Sequence, residues 1–185
     1  MKIAVVGPGA MGCLFTAFLA KSGREVLLLD HDSERADLLK EKGLFIEGIS
    51  GELKIAVPVS VSPDDAAKAD LILICVKSYN TRTAAMGLAP ALNTNARILT
   101  LQNGVGNAEV LSEICGQDRV WGGVTSQGAT LLEPGHVRHA GSGQTIIGAV
   151  SGPGQEDHLS VVSDIFSQAG FPTTVAAEVE PLIWS

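Results

Sequence analysis

Three groups of residues in this sequence have the types and spacing to meet a charged ligand. The first is the run Gly7-Pro8-Gly9-Ala10-Met11-Gly12, a G-x-G-x-x-G turn. Its glycines answer different needs at a pyrophosphate. Gly7 permits a tight turn, Gly9 lets backbone come close to the ligand, and Gly12 lets a following helix pack closely on a sheet. The phosphates would rest on the free N–H groups at that helix's N-terminus, where the helix dipole favours negative charge. The second group is Asp30 with His31 beside it, about 23 positions after Gly7. An acid at roughly that distance accepts hydrogen bonds from an adenosine ribose, unless it is a plain turn acid. The third is a pair, Lys77 and Asn103. Lys77 can meet phosphate or carboxylate charge, or be a solvated surface lysine. Asn103 can hydrogen-bond a nicotinamide ribose or a substrate, or simply form an Asn-Gly turn with Gly104.

The surrounding pattern says what must hold these groups. Ile3-Ala4-Val5-Val6 is too short for a helix and reads as a buried strand. Met11, Leu14, Phe15, Phe18 and Leu19 recur at helical spacing and predict a helix with one apolar face, stopped near Gly23. Glu25 to Leu29 is a second strand that ends at Asp30. Strand, glycine turn, helix, strand and terminal acid make a dinucleotide-binding unit.

A short helix through Leu38 and Leu39 should end near Gly43, and residues 44 to 61 read as a β excursion. Ser62-Pro63 predicts a helix start. Leu71 to Val76 is an apolar strand running to Lys77, Thr81 to Leu92 is helical in character, and Arg97 to Leu101 is a strand running to Asn103. Asn107 is placed to cap the next helix, which Gly116 closes, and Val120 to Thr125 is a further strand. Antiparallel strands are expected around the turn 133–136, and Gln144 to Val150 is another strand. A loop at Ser151 to Gly154, an amphipathic helix through Leu159 to Ala169 and a strand near Thr173 to Ala176 complete the order. The fold class is α/β: a doubly wound, mostly parallel sheet with an antiparallel C-terminal part.

Composition narrows the function. Hydrophobic residues form 45% of the 185, enough for a substantial core. Thirteen basic residues against 20 acidic ones, with no basic cluster, argue against a nucleic-acid partner or an anionic membrane. No apolar run approaches the roughly 18 residues of a membrane span, and the N-terminus lacks a signal-peptide pattern. Cys13, Cys75 and Cys115 have no metal-type spacing and read as reduced residues in or near the core of a cytoplasmic protein. The spacing of His136 and His139 does not make a metal site, and Ser126 and Ser142 have no evident base, so metal and serine-nucleophile chemistry are set aside.

Taken together, Met1-Lys2-Ile3 leading into the glycine turn, Cys75-Val76-Lys77-Ser78 and Gln102-Asn103-Gly104-Val105-Gly106 resemble the ketopantoate reductase family. Gly122-Gly123-Val124-Thr125, Pro134-Gly135-His136-Val137, Ile147-Gly148 and Leu182-Ile183-Trp184 are similar to the same family. The resemblance implies a Rossmann-type cofactor domain over 1–176, with 177–185 opening a linker or first helix of a helical substrate domain. It implies NADPH-dependent reduction of 2-dehydropantoate, a small 2-keto acid, to (R)-pantoate, on the route to pantothenate and coenzyme A. Gly7, Gly9 and Gly12 match its phosphate-binding turn. Lys77 and Asn103 match the residues beside the nicotinamide and the substrate.

Two departures stand out. The family's general-acid lysine lies just beyond the tryptophan matched by Trp184, and this sequence stops at Ser185, so the chain is expected not to complete the reaction alone. NADPH-using members commonly carry an arginine after the second strand, where this sequence has Asp30-His31, with Arg35 a few residues on. An acid there favours NAD, while the resemblance favours NADP. Open alternatives are a related 2-hydroxyacid dehydrogenase and a non-catalytic nucleotide-binding module. A homodimer is open as an assembly, and Leu182, Ile183 and Trp184 are expected to form an exposed apolar surface.

Overall fold

The structure, a computed structural model, describes residues 1–150, 155–177 and 179. The expected loop at 151–154 and the apolar surface at 182–184 lie outside the described residues. The chain opens with β1 (Lys2–Val6), α1 (Ala10–Lys21) and β2 (Glu25–Leu29). Next come α2 (Ser33–Lys42), β3 (Leu44–Gly48), β4 (Leu53–Ile55) and β5 (Val59–Ser60). Then β6 (Leu71–Ile74), α3 (Thr81–Leu88), β7 (Arg97–Thr100), α4 (Asn107–Cys115) and β8 (Val120–Thr125) follow. The last third holds β9 (Gly128–Glu133), β10 (His136–Gly141), β11 (Thr145–Ala149), α5 (Glu156–Gln168) and β12 (Thr173–Val175).

Eight strands form one sheet in the order β12-β11-β8-β7-β6-β1-β2-β5. All neighbours in it are parallel except β8 and β11. Its central strands are buried on both faces, and the side-chain period of two divides them cleanly. Ile3, Val5, Leu71, Leu73 and Leu99 point to the core shared with α1 and α5. Ala4, Val6, Ile72, Ile74 and Ile98 point to the core shared with α3 and α4. On the first side, Phe15 of α1 meets Phe166 of α5 at 5.7 Å and Phe171 edge-on at 4.8 Å.

The β excursion has a partner that sequence pattern alone does not reveal. β3 and β4 join β9 and β10 in a second sheet, ordered β4-β3-β10-β9, with β10 running parallel to β3. This sheet lies over α1, which also packs on β1 and β2. The expected single apolar face of α1 therefore becomes burial nearly all round: Gly12 to Ala17 and Leu19 are all buried.

Two helix expectations are corrected. Ser62-Pro63 opens a 3₁₀ turn, Pro63–Lys68, and not an α-helix. Only Ala66 of that turn is buried, so no apolar stripe exists to hold a longer helix. α3 stops at Leu88 and continues as a 3₁₀ turn, Ala89–Ala91, because Pro90 has no N–H to give the ladder.

Candidate functional site

β1 lies between β2 and β6, so the chain leaves it in opposite directions on its two sides. Parallel strands put the carboxyl ends of β1, β2, β6 and β7 along one edge, and a crevice opens at such a reversal. It is a cleft of about 520 Å³, lined among others by Gly7, Pro8, Gly9, Asp30, His31, Arg35 and Lys77. A cleft of this size suits a small-molecule ligand.

The three glycines do three different jobs in the fold. Gly7 turns with φ +102°, and its N–H donates to Leu29 O at 2.9 Å. A Cβ on Gly12 would stand 1.9 Å from Gly7 O, so the helix and the turn close on each other only through glycine. Gly9 is different: a Cβ there would meet only Cys75 O, at 4.0 Å. Nothing within the protein demands glycine at position 9, and the space beside it belongs to the cleft. The first ladder bond of α1 runs from Cys13 N to Gly9 O, which leaves the N–H groups of Ala10, Met11 and Gly12 ahead of it. No acidic side chain occupies this first turn. The residues fit a bound pyrophosphate. The Cys13 thiol donates to Pro8 O at 3.3 Å, and burial pushes its pKa up to about 12, so it stays protonated as a donor.

Asp30 is held more tightly than its position in the sequence suggests. Its Oδ1 accepts from His31 N at 2.7 Å and Asp32 N at 3.1 Å. Arg35 adds Nε to Oδ2 at 2.6 Å and Nη2 to Oδ1 at 2.5 Å, a two-pronged ion pair. The Asp30 side chain is wholly buried, and that of Arg35 is 31% exposed. Asp32 sets this up by capping α2: its carboxylate accepts from Arg35 N at 3.0 Å and fixes the turn from which the guanidinium reaches back. The pairing raises the Arg35 pKa further. Sequence spacing put Arg35 near the site; its closure onto both carboxylate oxygens is a finding of the structure. Val61 and Pro63, which follow β5 beside Asp30, continue the cleft wall, as do Thr83, Ala84 and Gly87 of α3. None of these five stands out in the sequence as a site residue, since small and apolar residues carry no binding motif.

Lys77 follows β6 on an exposed turn that lines the cleft. Among the described residues its ammonium makes no ion pair. Asn103 is exposed on the turn after β7 and lies outside the cleft lining. The two turns still touch: Ser78 Oγ donates to Asn103 O at 3.1 Å. Asn107 does not cap α4. That place is taken by Gly106, with φ +89°, and Asn107 is the first helical residue. His136 binds Glu47 and His139 binds Gln127, both in or beside the second sheet and away from this cleft. Among the described residues no helix is long and apolar enough to cross a membrane, and no group of three or more potential ligands is placed to hold a metal ion.

Comparison with known proteins adds three likenesses and a family. The chain is 41% identical, over all 185 residues, to a 2-dehydropantoate 2-reductase of Halobacterium salinarum, of which it spans 60%. It matches a ketopantoate reductase structure from Ralstonia eutropha JMP134 with TM-score 0.89 and 36% identity, over 100% of this chain and 59% of that one. It also matches a D-mandelate dehydrogenase structure holding NADH and anilino(oxo)acetate, with TM-score 0.91 and 27% identity, again over 100% and 59%. The chain thus spans about 60% of the length of these relatives. The family model described as ketopantoate reductase PanE/ApbA matches residues 3–152, and with the glycine turn and strand-end residues now located in space, this chain belongs to that family.

Proposed function

We propose that this chain is the cofactor-binding part of an oxidoreductase that reduces 2-dehydropantoate to (R)-pantoate with NADPH. The observation that carries the reading is the glycine turn, Asp30-Arg35 and Lys77 lining one cleft at the sheet's reversal point. The pyrophosphate rests on the first turn of α1, against Gly9. The chemistry such a cofactor would supply, when bound, is hydride for the ketone carbon of the substrate. This chain's contribution is electrostatic and positional: Lys77 holds the negative charge of the substrate carboxylate or the charge that develops on its carbonyl oxygen, and the Asn103 amide donates nearby.

The choice of NADP rests on the state of Asp30. A free carboxylate would accept from a ribose 2′-hydroxyl and repel a 2′-phosphate. Here Arg35 occupies both oxygens, so the local charge is balanced, and the partly exposed guanidinium and the exposed His31 are available to a phosphate. One observation favours a second reading. A D-mandelate dehydrogenase binding NADH has this backbone, which supports an NAD-dependent 2-hydroxyacid dehydrogenase on another 2-keto acid.

The test is a fluorescence titration of the chain with NADPH and NADH in parallel. Saturable, tighter binding of NADPH is expected. Tighter NADH would overturn the cofactor choice, and no binding of either would overturn the reading itself. Turnover of a panel of 2-keto acids by the full-length protein separates the two substrates.

A further inference from the structure

Behind the exposed Lys77 and Asn103 turns lies a closed set of polar side chains that no binding role has absorbed. Thr100 Oγ1 donates to Gln102 Oε1 at 2.9 Å. Gln102 Nε2 donates to Val76 O at 2.7 Å and to Thr81 Oγ1 at 2.9 Å. The Thr81 hydroxyl donates in turn to Asn107 Oδ1 at 2.9 Å. Asn107 Nδ2 then faces Gly104 O at 3.1 Å, Asn103 O at 3.2 Å and Ser78 Oγ at 3.4 Å. The amide's orientation is fixed, because only its NH₂ can face two carbonyl oxygens. Every hydroxyl in the chain points the same way, from Thr100 to the Asn103 turn.

The placement matters more than the number of bonds. Asn107 is buried to 6% exposure and Thr81 to 1%. One lies at the start of α4 and the other at the start of α3. Asn107 thus ties the turn after β7 to the first turn of α3, which follows directly on the Lys77-Ser78 turn. A cap would accept from helix N–H groups; this amide donates to carbonyls upstream of its own helix. Gly104 and Gly106, both at φ +89°, give that loop little stiffness of its own.

Resting on the dinucleotide reading above, we infer that Asn107 is a positioning residue that fixes the Lys77 and Asn103 turns relative to each other, so that the nicotinamide half of the cofactor is recognised. It touches neither cofactor nor substrate. The adenine half lies across the cleft at Asp30 and Arg35 and is independent of it.

The experiment compares the affinity of this chain for NADPH and for 2′,5′-adenosine bisphosphate, which lacks the nicotinamide half, with NADH and ADP as the parallel pair. Variants are Asn107→Asp, which keeps the shape but turns an acceptor toward two carbonyls, and Thr81→Val, which removes the hydroxyl that links Gln102 to Asn107. Each should weaken the dinucleotide about tenfold and the adenylate less than about twofold, since each removes buried polar bonds that join the two turns. Thr81→Ser, which keeps the hydroxyl, should restore the dinucleotide affinity lost in Thr81→Val. Equal loss for both ligands, or loss for neither, overturns the inference and leaves the dinucleotide reading standing. A wild-type chain that binds no dinucleotide overturns both. If Asn107→Asp does not fold by circular dichroism, Thr81→Val carries the comparison.

Discussion

At the residue scale, the glycine turn separates folding from binding. Gly12 closes against Gly7 O, so Gly12→Ala must push backbone apart, and a loss of about 2–3 kcal/mol or more in stability is expected. Gly9 has open space beside it, so Gly9→Ala should change stability by less than about 0.5 kcal/mol while weakening dinucleotide binding. Urea unfolding and cofactor titration on both variants check the pair; equal behaviour would contradict the assignment. The same scale shows what sequence can and cannot carry. The spacing of Gly7, Gly9 and Gly12 is a statement about backbone, and backbone is what the turn uses. Asp30 was legible as an acid at the end of a strand, but its function depends on which donors reach it. Arg35 is five residues away, and only the cap at Asp32 brings its guanidinium back. Asn107 was legible as a helix-start residue, but the direction of its bonds was not, because their partners are Thr81 and the turn after β7.

At the scale of elements, sequence pattern bounds strands most closely where turn residues flank them on both sides. β2 and β8 fall on their expected limits because an apolar run between turn residues has few other ways to be buried. Sequence periodicity gives α1 a single apolar face, because it reports the helix and not what covers it. Its second cover, the β9–β10 hairpin, comes more than a hundred residues later. α1 and α5 are locked through Phe15, Phe166 and Phe171, so Phe166→Ala should cost roughly 3–5 kcal/mol, measured by urea unfolding.

The second sheet also carries a pH response. Gln127 Nε2 donates to Gly143 O, which leaves its Oε1 facing His139 Nε2 at 3.0 Å; that ring nitrogen is therefore the protonated one. Burial beside Phe18 holds the His139 pKa below its usual 6.5. The unfolded chain takes up the proton first as pH falls. Stability from His139 is therefore complete above about pH 6.5 and declines below it, by at most about 1.4 kcal/mol per pH unit. His139→Gln should flatten that slope in unfolding measured from pH 7.5 down to 5, a window above the Glu47 carboxyl, which His136 and Arg138 hold below the ordinary range. An unchanged slope would count against a neutral buried imidazole.

At the scale of the molecule, the parallel pairing of residues 136–139 with 45–48 has a consequence for how the protein is made. The helix after the glycine turn is complete at Lys21, yet its outer cover, begun by β3 and β4, is complete only with the strand that ends at Gly141. A ribosome adding about 5–20 residues each second needs roughly 6–24 seconds to bridge that interval. Throughout it, the nascent chain carries a phenylalanine- and leucine-rich helix whose outer side is incompletely covered. Until then the helix is a client for whatever shields apolar surface in the cell, and a stall before residue 136 would release it with that side incompletely covered.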